Sequence, residues 1–181
     1  MATTIALEGI GDVDRVFREL ANEIGDKKAN SKILVPAVRE AMKPVLRTAQ
    51  NLAPIDTGGL RLSLQVEARR PTRRDRNSKY ITNTDTVIAL VTTASGKKLA
   101  AMSQGKGLVA AKKRLTKMGG DGANFTGVKS DPRAIAQEFG SAANAAHPYL
   151  RPALETQAQS VVSNLSNILG RRIDAYKRKM K

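Results

Sequence analysis

The sequence predicts an α+β fold in which a small antiparallel sheet, a central β-hairpin, is packed by two long helices. Apolar side chains recur at helical spacing over residues 31–53 and again over 154–180. Between these stretches, apolar–polar alternation over 60–68 and a β-prone run over 86–93 predict the two strands. Short helices and a basic, Gly-rich insertion at 96–130 complete the fold. We expect all 181 residues to form a single domain.

The first half of the chain supplies two predicted helices. A short strand at 4–8 precedes a helix that starts after Asp12 and ends at Gly25. The second helix contains Pro44 within its apolar stripe, so we expect a kink there and not an end. Pro54 then ends this helix, because proline lacks an N–H and disfavours helical geometry in the residue before it.

Two stretches around the second strand have loop composition. Residues 69–79 are polar, basic and turn-rich, as expected of an exposed hairpin loop. The insertion at 96–130 accumulates lysine, arginine and glycine without an acidic residue before Asp121. We predict one short helix over 108–118 and otherwise a flexible segment that becomes ordered on contact with a partner.

The last part of the chain predicts a short helix followed by a long one. Asp131 is a good N-cap and Pro132 suits the first helical position, so a helix over 133–139 should end at Gly140. Residues 147–152 then lead into the last helix. Its basic C-terminal turn matches the preference of the helix dipole for positive charge.

Composition excludes several kinds of site. The chain has no Cys, which excludes disulfides and Cys-based zinc sites, and a single His cannot build a catalytic triad or a His-rich metal centre. We interpret that residue, His147, as a loop residue beside Pro148. We therefore expect no enzyme activity, cofactor or metal. Residues 1–11 lack the pattern of a signal peptide, no apolar run approaches a membrane span, and we expect no membrane association.

Residues 56–58 read Asp-Thr-Gly, the triplet of an aspartic-protease active site. In such an enzyme the triplet follows an apolar strand and faces a second carboxylate, whereas here it follows a predicted helix end. We favour a turn in which Asp56 and Thr57 bond nearby backbone and Gly58 adopts positive φ. An aspartic hydrolase is the weaker alternative. Residues 105–107 (GKG) lack the spacing of a phosphate-binding loop.

The formal net charge of +15 predicts an acidic or polyanionic neighbour. Basic residues cluster at 69–79, 97–117 and 171–181, and such clusters attract DNA phosphates or acidic protein surfaces. No DNA-recognition motif accompanies them, so sequence-specific binding is not expected. The candidate contacts are Arg69, Arg70, Arg73, Arg74, Arg76, Lys79, Lys97, Lys98, Lys112, Lys113, Arg114 and Lys117.

Two blocks of sequence, in this order, resemble one protein family. The first is residues 53–63 (APIDTGGLRLS), and the second is 138–141 (EFGS) followed by 148–155 (PYLRPALE). They resemble the tail-completion, or head–tail joining, proteins of long-tailed bacteriophages, the neck proteins of the lambdoid type. Ser141 and Tyr149 stand where that family usually has Thr and Phe. The turn motif comprises Pro54, Asp56, Thr57, Gly58, Leu60 and Ser63, and the distal packing motif comprises Glu138, Phe139, Gly140, Pro148, Tyr149, Leu150, Arg151 and Pro152.

The resemblance implies a structural virion protein of the phage neck. Such a protein forms an oligomeric ring, here expected as a hexamer in preference to a dodecamer, that makes the tail competent to join the head. Expected partners are further copies of the chain, neighbouring neck, tail-terminator or tail-tube proteins, and genomic DNA. The expected location is the virion neck and tail, with the host cytoplasm during assembly. The competing interpretation is a DNA-binding accessory protein without sequence specificity.

The two motifs suggest specific structural roles. We expect residues 56–58 to fix how the hairpin leaves the second helix. We expect Phe139, Tyr149 and Leu150 to pack the short helix and the last helix against the sheet. The insertion lies outside the resemblance, so its role does not follow from the family.

Overall fold

A computed structural model describes residues 15, 18, 22, 29–54, 58–83, 86–119, 122, 125, 133–142 and 145–180. It confirms the predicted α+β class, with a two-stranded antiparallel sheet and helices that include a long C-terminal one. The chain divides into two compact units. One comprises Met1–Val45, Val66–Leu90 and Thr156–Lys181, and the other comprises Leu46–Gln65 and Val91–Glu155.

The predicted helix over 31–53 is built from three consecutive segments. A π-helix, Ala29–Leu34, leads into α1 (Val35–Ala41), and α2 (Lys43–Leu52) follows after a single residue, Met42. The Met42 N–H still donates to Val38 O at 3.0 Å. Pro44 lacks the N–H that would reach back to the preceding turn, so it interrupts the helix without ending it. The helix is therefore interrupted next to Pro44 and continues beyond it, and the bend predicted there stays a prediction.

The predicted strand start at Leu60 is wrong. Residues 59–63 form a short helix, α3 (Gly59–Ser63), and the strand β1 runs from Leu64 to Arg69. Within this helical turn the Leu62 N–H donates to Gly58 O at 3.1 Å, and Ser63 Oγ donates to Leu60 O at 2.7 Å. The second strand, β2 (Ile88–Thr93), pairs with β1, and a 3₁₀ turn at Asp75–Asn77 lies in the loop between the strands.

The insertion contributes two helices where one was predicted. These are α4 (Gly96–Met102) and α5 (Gly105–Lys117). The flexibility predicted for 96–130 stays a prediction. The short helix α6 (Arg133–Phe139) has the predicted bounds, and α7 (Leu150–Met180) continues through Gly170 without a break. The predicted strand at 4–8 and most of the first predicted helix lie outside the described residues.

Each unit has its own core of mainly aliphatic side chains, in keeping with the 3% aromatic content of the chain. In the first unit, the helical segment 33–41 packs against the second half of α7, with these buried residues: Ile33, Leu34, Ala37, Ala41, Ile168, Leu169 and Ile173. In the second unit the buried cluster is Leu62, Ala94, Leu99, Ala111, Leu115 and Phe125. One predicted member of the α7 stripe is misplaced, since Leu154 is 46% exposed while Ala153 beside it is buried.

Candidate functional site

The turn of the first motif block depends on Gly58. Its φ of +74° lies in the left-handed region, which side-chain-bearing residues rarely adopt. A Cβ built on Gly58 would stand 2.5 Å from Leu115 Cδ1, so the Leu115 side chain would have to shift to make room for a side chain at this position. Pro54 is half-buried just after the end of α2. Asp56 and Thr57 lie outside the described residues, and their turn role stays a prediction.

Arg61, three residues after Gly58, is a buried cation at the ends of two helices. It is 7% exposed, and its guanidinium donates to Met118 O at 3.0 Å and to Asn51 O at 3.4 Å. Asn51 lies in the last turn of α2, and Met118 directly follows α5. Carbonyls at helix C-termini lack intrahelical partners and carry partial negative charge, which favours a cation there. Arg61 thus ties both helix ends to α3.

Sequence reasoning missed Arg61. Its place between Leu60 and Leu62 resembled the solvent-facing position of an amphipathic strand, and no local pattern distinguishes an exposed arginine from a buried one. A second buried polar residue, Gln50, donates from Nε2 to Arg61 O at 3.3 Å. Arg61 Nε has no hydrogen-bond partner among the described residues. The first motif block therefore contains buried polar contacts, made by Arg61 and Gln50, beside the apolar cluster of the second unit.

The second motif block is organised by the buried carboxylate of Glu138. This residue ends α6 and is 2% exposed. Its Oε2 accepts the N–H groups of Tyr149 and Leu150, both at 2.8 Å, and Oε1 accepts the N–H of Arg151 at 3.2 Å. These N–H groups open α7 and have no partner within that helix. Glu138 therefore caps the last helix from eleven to thirteen residues upstream, where a negative charge also complements the helix dipole.

Arg151 completes this cap from the other side. Its Nε donates to Glu138 Oε1 at 3.1 Å, and its Nη2 donates to the backbone oxygen of the same glutamate at 3.1 Å. The Arg151 guanidinium also lies over the ring of Phe139, 5.3 Å from the centroid. The prediction that Phe139 helps to pack the short helix against the sheet is wrong, because this ring is 68% exposed. The buried aromatic residue of the second motif block is Tyr149.

Burial by itself raises the pKa of Glu138, because a buried charge loses its hydration. The N–H groups of Leu150, Tyr149 and Arg151 oppose this effect and bring the pKa below its ordinary value of 4.5. The carboxylate is therefore ionised at neutral pH. Burial likewise raises the pKa of the Tyr149 phenol, and the nearby charge of Glu138 adds to the increase.

The remaining residues of the second block shape the loop before α7. Gly140 has φ of +80°, and its N–H donates to Ala136 O at 2.7 Å, which closes α6. The His147 N–H donates to Gln137 O at 2.7 Å, while the His147 and Pro148 side chains are exposed. Leu150 and Pro152 are half-buried in the first turn of α7. The loop is thus anchored to α6 at both of its ends.

The hairpin-loop cations are less available to a partner than their number suggests. Arg69 donates to Glu67 Oε1 at 2.6 Å and to both carboxylate oxygens of Asp75. Asp75 also accepts the N–H and the hydroxyl of Thr72, both at 2.6 Å. The bond from Arg69, followed by those from Thr72, holds the pKa of Asp75 far below its ordinary value. Arg76 donates to Thr82 O at 2.7 Å.

Other basic candidates differ in exposure. Arg70, Arg73, Arg74 and Lys79 are exposed, and Lys79 Nζ lies 5.0 Å from the centre of the Tyr80 ring. In the insertion, Lys98 Nζ donates to Gln65 Oε1 at 2.5 Å. The exposed cations of the insertion helices are Lys97, Lys98, Lys106, Lys113, Arg114 and Lys117, whereas Lys112 is half-buried.

Within the described ranges, no three His, Cys, Asp or Glu residues group as ligands for a metal ion. The helices of the described part of the chain are all too short or too polar to cross a membrane. No family model, curated protein or solved structure matches this chain.

Proposed function

We propose that this chain is a structural protein of the neck of a long-tailed bacteriophage. In this role it forms an oligomeric ring that makes the tail competent to join the head. The proposal comes from the resemblance of residues 53–63 and 138–155 to head–tail joining proteins. The observation that carries it is that the described residues of both blocks hold helix ends in place: Arg61 contacts the ends of α2 and α5, and Glu138 caps α7.

The first block supports an architectural role through Gly58 and Arg61. Gly58 permits the close approach of Leu115, and Arg61 binds the C-terminal ends of α2 and α5. A subunit that must repeat around a ring needs its helices in one fixed arrangement, because heterologous contacts close only at a defined angle. The Gly58–Leu115 contact and the Arg61 hydrogen bonds are two independent restraints on these helices, and they suit that requirement.

The second block supports a structural role through the chemistry of Glu138. A general acid must be protonated near neutral pH, and a metal ligand needs free lone pairs directed at the ion. The Glu138 carboxylate is ionised and occupied by three N–H groups and by Arg151. Its chemistry is that of a helix cap. We therefore propose a protein without catalytic activity in which this block orients the last helix.

Inactivation of the gene in the phage or prophage that encodes it tests the proposal. We expect lysates of the inactivated phage to contain DNA-filled heads and full-length tails that are not joined. Purified protein added to such a lysate should restore joined, infectious particles. Normal joining without the protein would refute the neck role. If the purified protein instead bound DNA tightly and its loss left particles intact, the DNA-binding accessory protein would be the better account.

A further inference from the structure

Three lysines form a line along the outer face of α5. Lys106, Lys113 and Lys117 are seven and four residues apart, so they fall within about 40° of one another around a helix of 3.6 residues per turn. At about 1.5 Å of rise per residue, neighbouring lysines are separated by roughly 10 Å and 6 Å along the helix axis. All three are exposed, and Arg114 is exposed beside them. We call these four residues the α5 basic face.

The opposite side of α5 is fixed in the second unit. Ala111 and Leu115 are buried in its apolar cluster, and Leu115 lies against Gly58. At the C-terminal end, Met118 O accepts the Arg61 guanidinium. At the N-terminal end, a Cβ on Gly107 would stand 2.0 Å from Ala101 O, so the backbones of α4 and α5 are in close contact there. The α5 basic face therefore belongs to a docked helix with a defined outward direction.

We propose that the α5 basic face binds the phosphate backbone of double-stranded DNA without reading its sequence. Duplex DNA carries one negative charge per roughly 1.7 Å of axis, so a row of cations spanning about 16 Å meets several phosphates on one groove edge. Residues 96–119 contain no acidic side chain that would oppose this attraction. The inference goes beyond the neck role and does not depend on it.

The side chains of the α5 basic face favour contact with the DNA backbone over recognition of bases. Lysine is a compact point charge on a flexible stem, which suits phosphate oxygens, whereas bidentate recognition of base edges needs arginine, asparagine or glutamine at fixed positions. In the hairpin loop, by contrast, part of the positive charge is offset, because Arg69 pairs with Glu67 and Asp75. An acidic protein surface is the other class of partner, and the experiment below separates it from DNA.

Salt-dependent binding of a short duplex by the purified full-length chain tests the inference. The variant Lys106→Gln/Lys113→Gln/Lys117→Gln removes three charges, and glutamine retains the helix propensity of lysine. The matched control, Lys32→Gln/Lys43→Gln/Arg47→Gln, removes three exposed charges outside the insertion. We expect the α5 variant to lower the slope of log affinity against log salt by about 3, because each lost phosphate contact removes roughly 0.9. The control should change the slope by less than about 1.

A charge-preserving variant, Lys106→Arg/Lys113→Arg/Lys117→Arg, should bind with the wild-type slope and shows whether charge is the cause. Circular dichroism melts establish that each variant is folded. Equal slopes for the α5 variant and the control would overturn the inference. It would also be overturned if polyglutamate bound the wild-type chain more tightly than the duplex at equal salt, since the face would then suit an acidic protein. Either outcome leaves the test of head–tail joining unaffected.

Discussion

Gly58 and Leu115 are in such close contact that a Cβ on residue 58 would stand 2.5 Å from Leu115 Cδ1. The same glycine has φ of +74°, so a side chain at this position would strain the backbone and would also displace the Leu115 side chain. This contact and the positive φ give a structural reason for the glycine that ends the Asp-Thr-Gly triplet. It also connects the motif turn to the insertion.

Substitution of Gly58 by alanine should destabilise the protein more than the same change at Gly119. Both glycines have positive φ, but no described residue lies within 4 Å of a Cβ on Gly119. The backbone penalty of about 1–2 kcal/mol is common to both sites, and overpacking against Leu115 adds roughly 1–3 kcal/mol at Gly58 only. Urea denaturation gives the difference in the free energy of unfolding. Equal losses at the two sites would contradict the contact.

The Leu115→Ala background isolates the same contact. Removing the leucine by itself should cost about 2–5 kcal/mol, as for other buried large-to-small changes. In that background Gly58→Ala should cost only the backbone penalty, because its steric neighbour is gone. A double-mutant cycle measures this coupling. Additive effects would show that residue 58 and Leu115 do not interact.

Replacement of Glu138 by glutamine should lower the free energy of unfolding by about 2–3 kcal/mol. The change leaves the side chain nearly isosteric but replaces charge-assisted hydrogen bonds and leaves a buried amide facing N–H donors. Glu155→Gln in the exposed part of α7 serves as the control and should change stability by less than about 0.5 kcal/mol. Chemical denaturation followed by circular dichroism compares the two. A loss no larger than that of the control would refute the capping role.

The stabilisation from Glu138 should depend on pH in a defined direction. Its pKa in the folded protein is lowered from 4.5, so its contribution is fully present above that value and is lost as pH falls through the folded-state pKa. The stability difference between the wild type and Glu138→Gln should therefore be largest near neutral pH and shrink in acid. Denaturation curves at several pH values measure this difference. A difference that grows below pH 4.5 would have the wrong sign.

Arg61→Ala should cost about 2–4 kcal/mol, because it leaves a cavity and removes the donor from two helix-end carbonyls. Arg39 provides a matched comparison, since it also donates to a backbone carbonyl, Ala68 O at 3.1 Å, but is exposed. Arg39→Ala should change the free energy of unfolding by about 0.5 kcal/mol or less. Comparable effects of the two substitutions would argue against Arg61 as a joint between helix ends.

Asp75→Asn should expose the hairpin loop to protease. Asp75 accepts hydrogen bonds from both Arg69 and Thr72. These contacts stabilise the 3₁₀ turn at Asp75–Asn77. With the carboxylate gone, trypsin should cut faster after the basic residues at 70–79. Asp174→Asn on the exposed side of α7 is the control. Identical digestion patterns for both variants and the wild type would contradict this role of Asp75.

Where local chemistry decides the structure, sequence reasoning succeeds. The bounds of α6, its end at Gly140 and the interruption of the second helix at Pro44 follow from proline and glycine geometry. The strand start at Leu60 fails because alternation over Leu60, Leu62 and Leu64 is compatible with one helical turn before a strand. The hydrogen bonds of Leu62 and Ser63 to residues 58 and 60 decide in favour of the turn.

Contacts between residues distant in sequence could not be predicted. Glu138 lies near the end of α6 and caps the start of α7, and it does not have the capping-box spacing that would predict this contact from the sequence. The same carboxylate holds Arg151 over the exposed ring of Phe139, a contact that no local pattern predicts. Likewise, Arg61 is recognisable only once the ends of α2 and α5 are known to meet it.

Electron cryomicroscopy of the neck of the assembled phage particle tests the central claim most directly. The neck proposal predicts a closed ring of this chain at the head–tail junction of wild-type particles. It further predicts that a phage carrying Gly58→Val accumulates unjoined heads and tails, whereas one carrying Gly119→Val assembles. A junction without density for this chain, or infectious particles from the Gly58→Val phage in normal yield, would contradict the account.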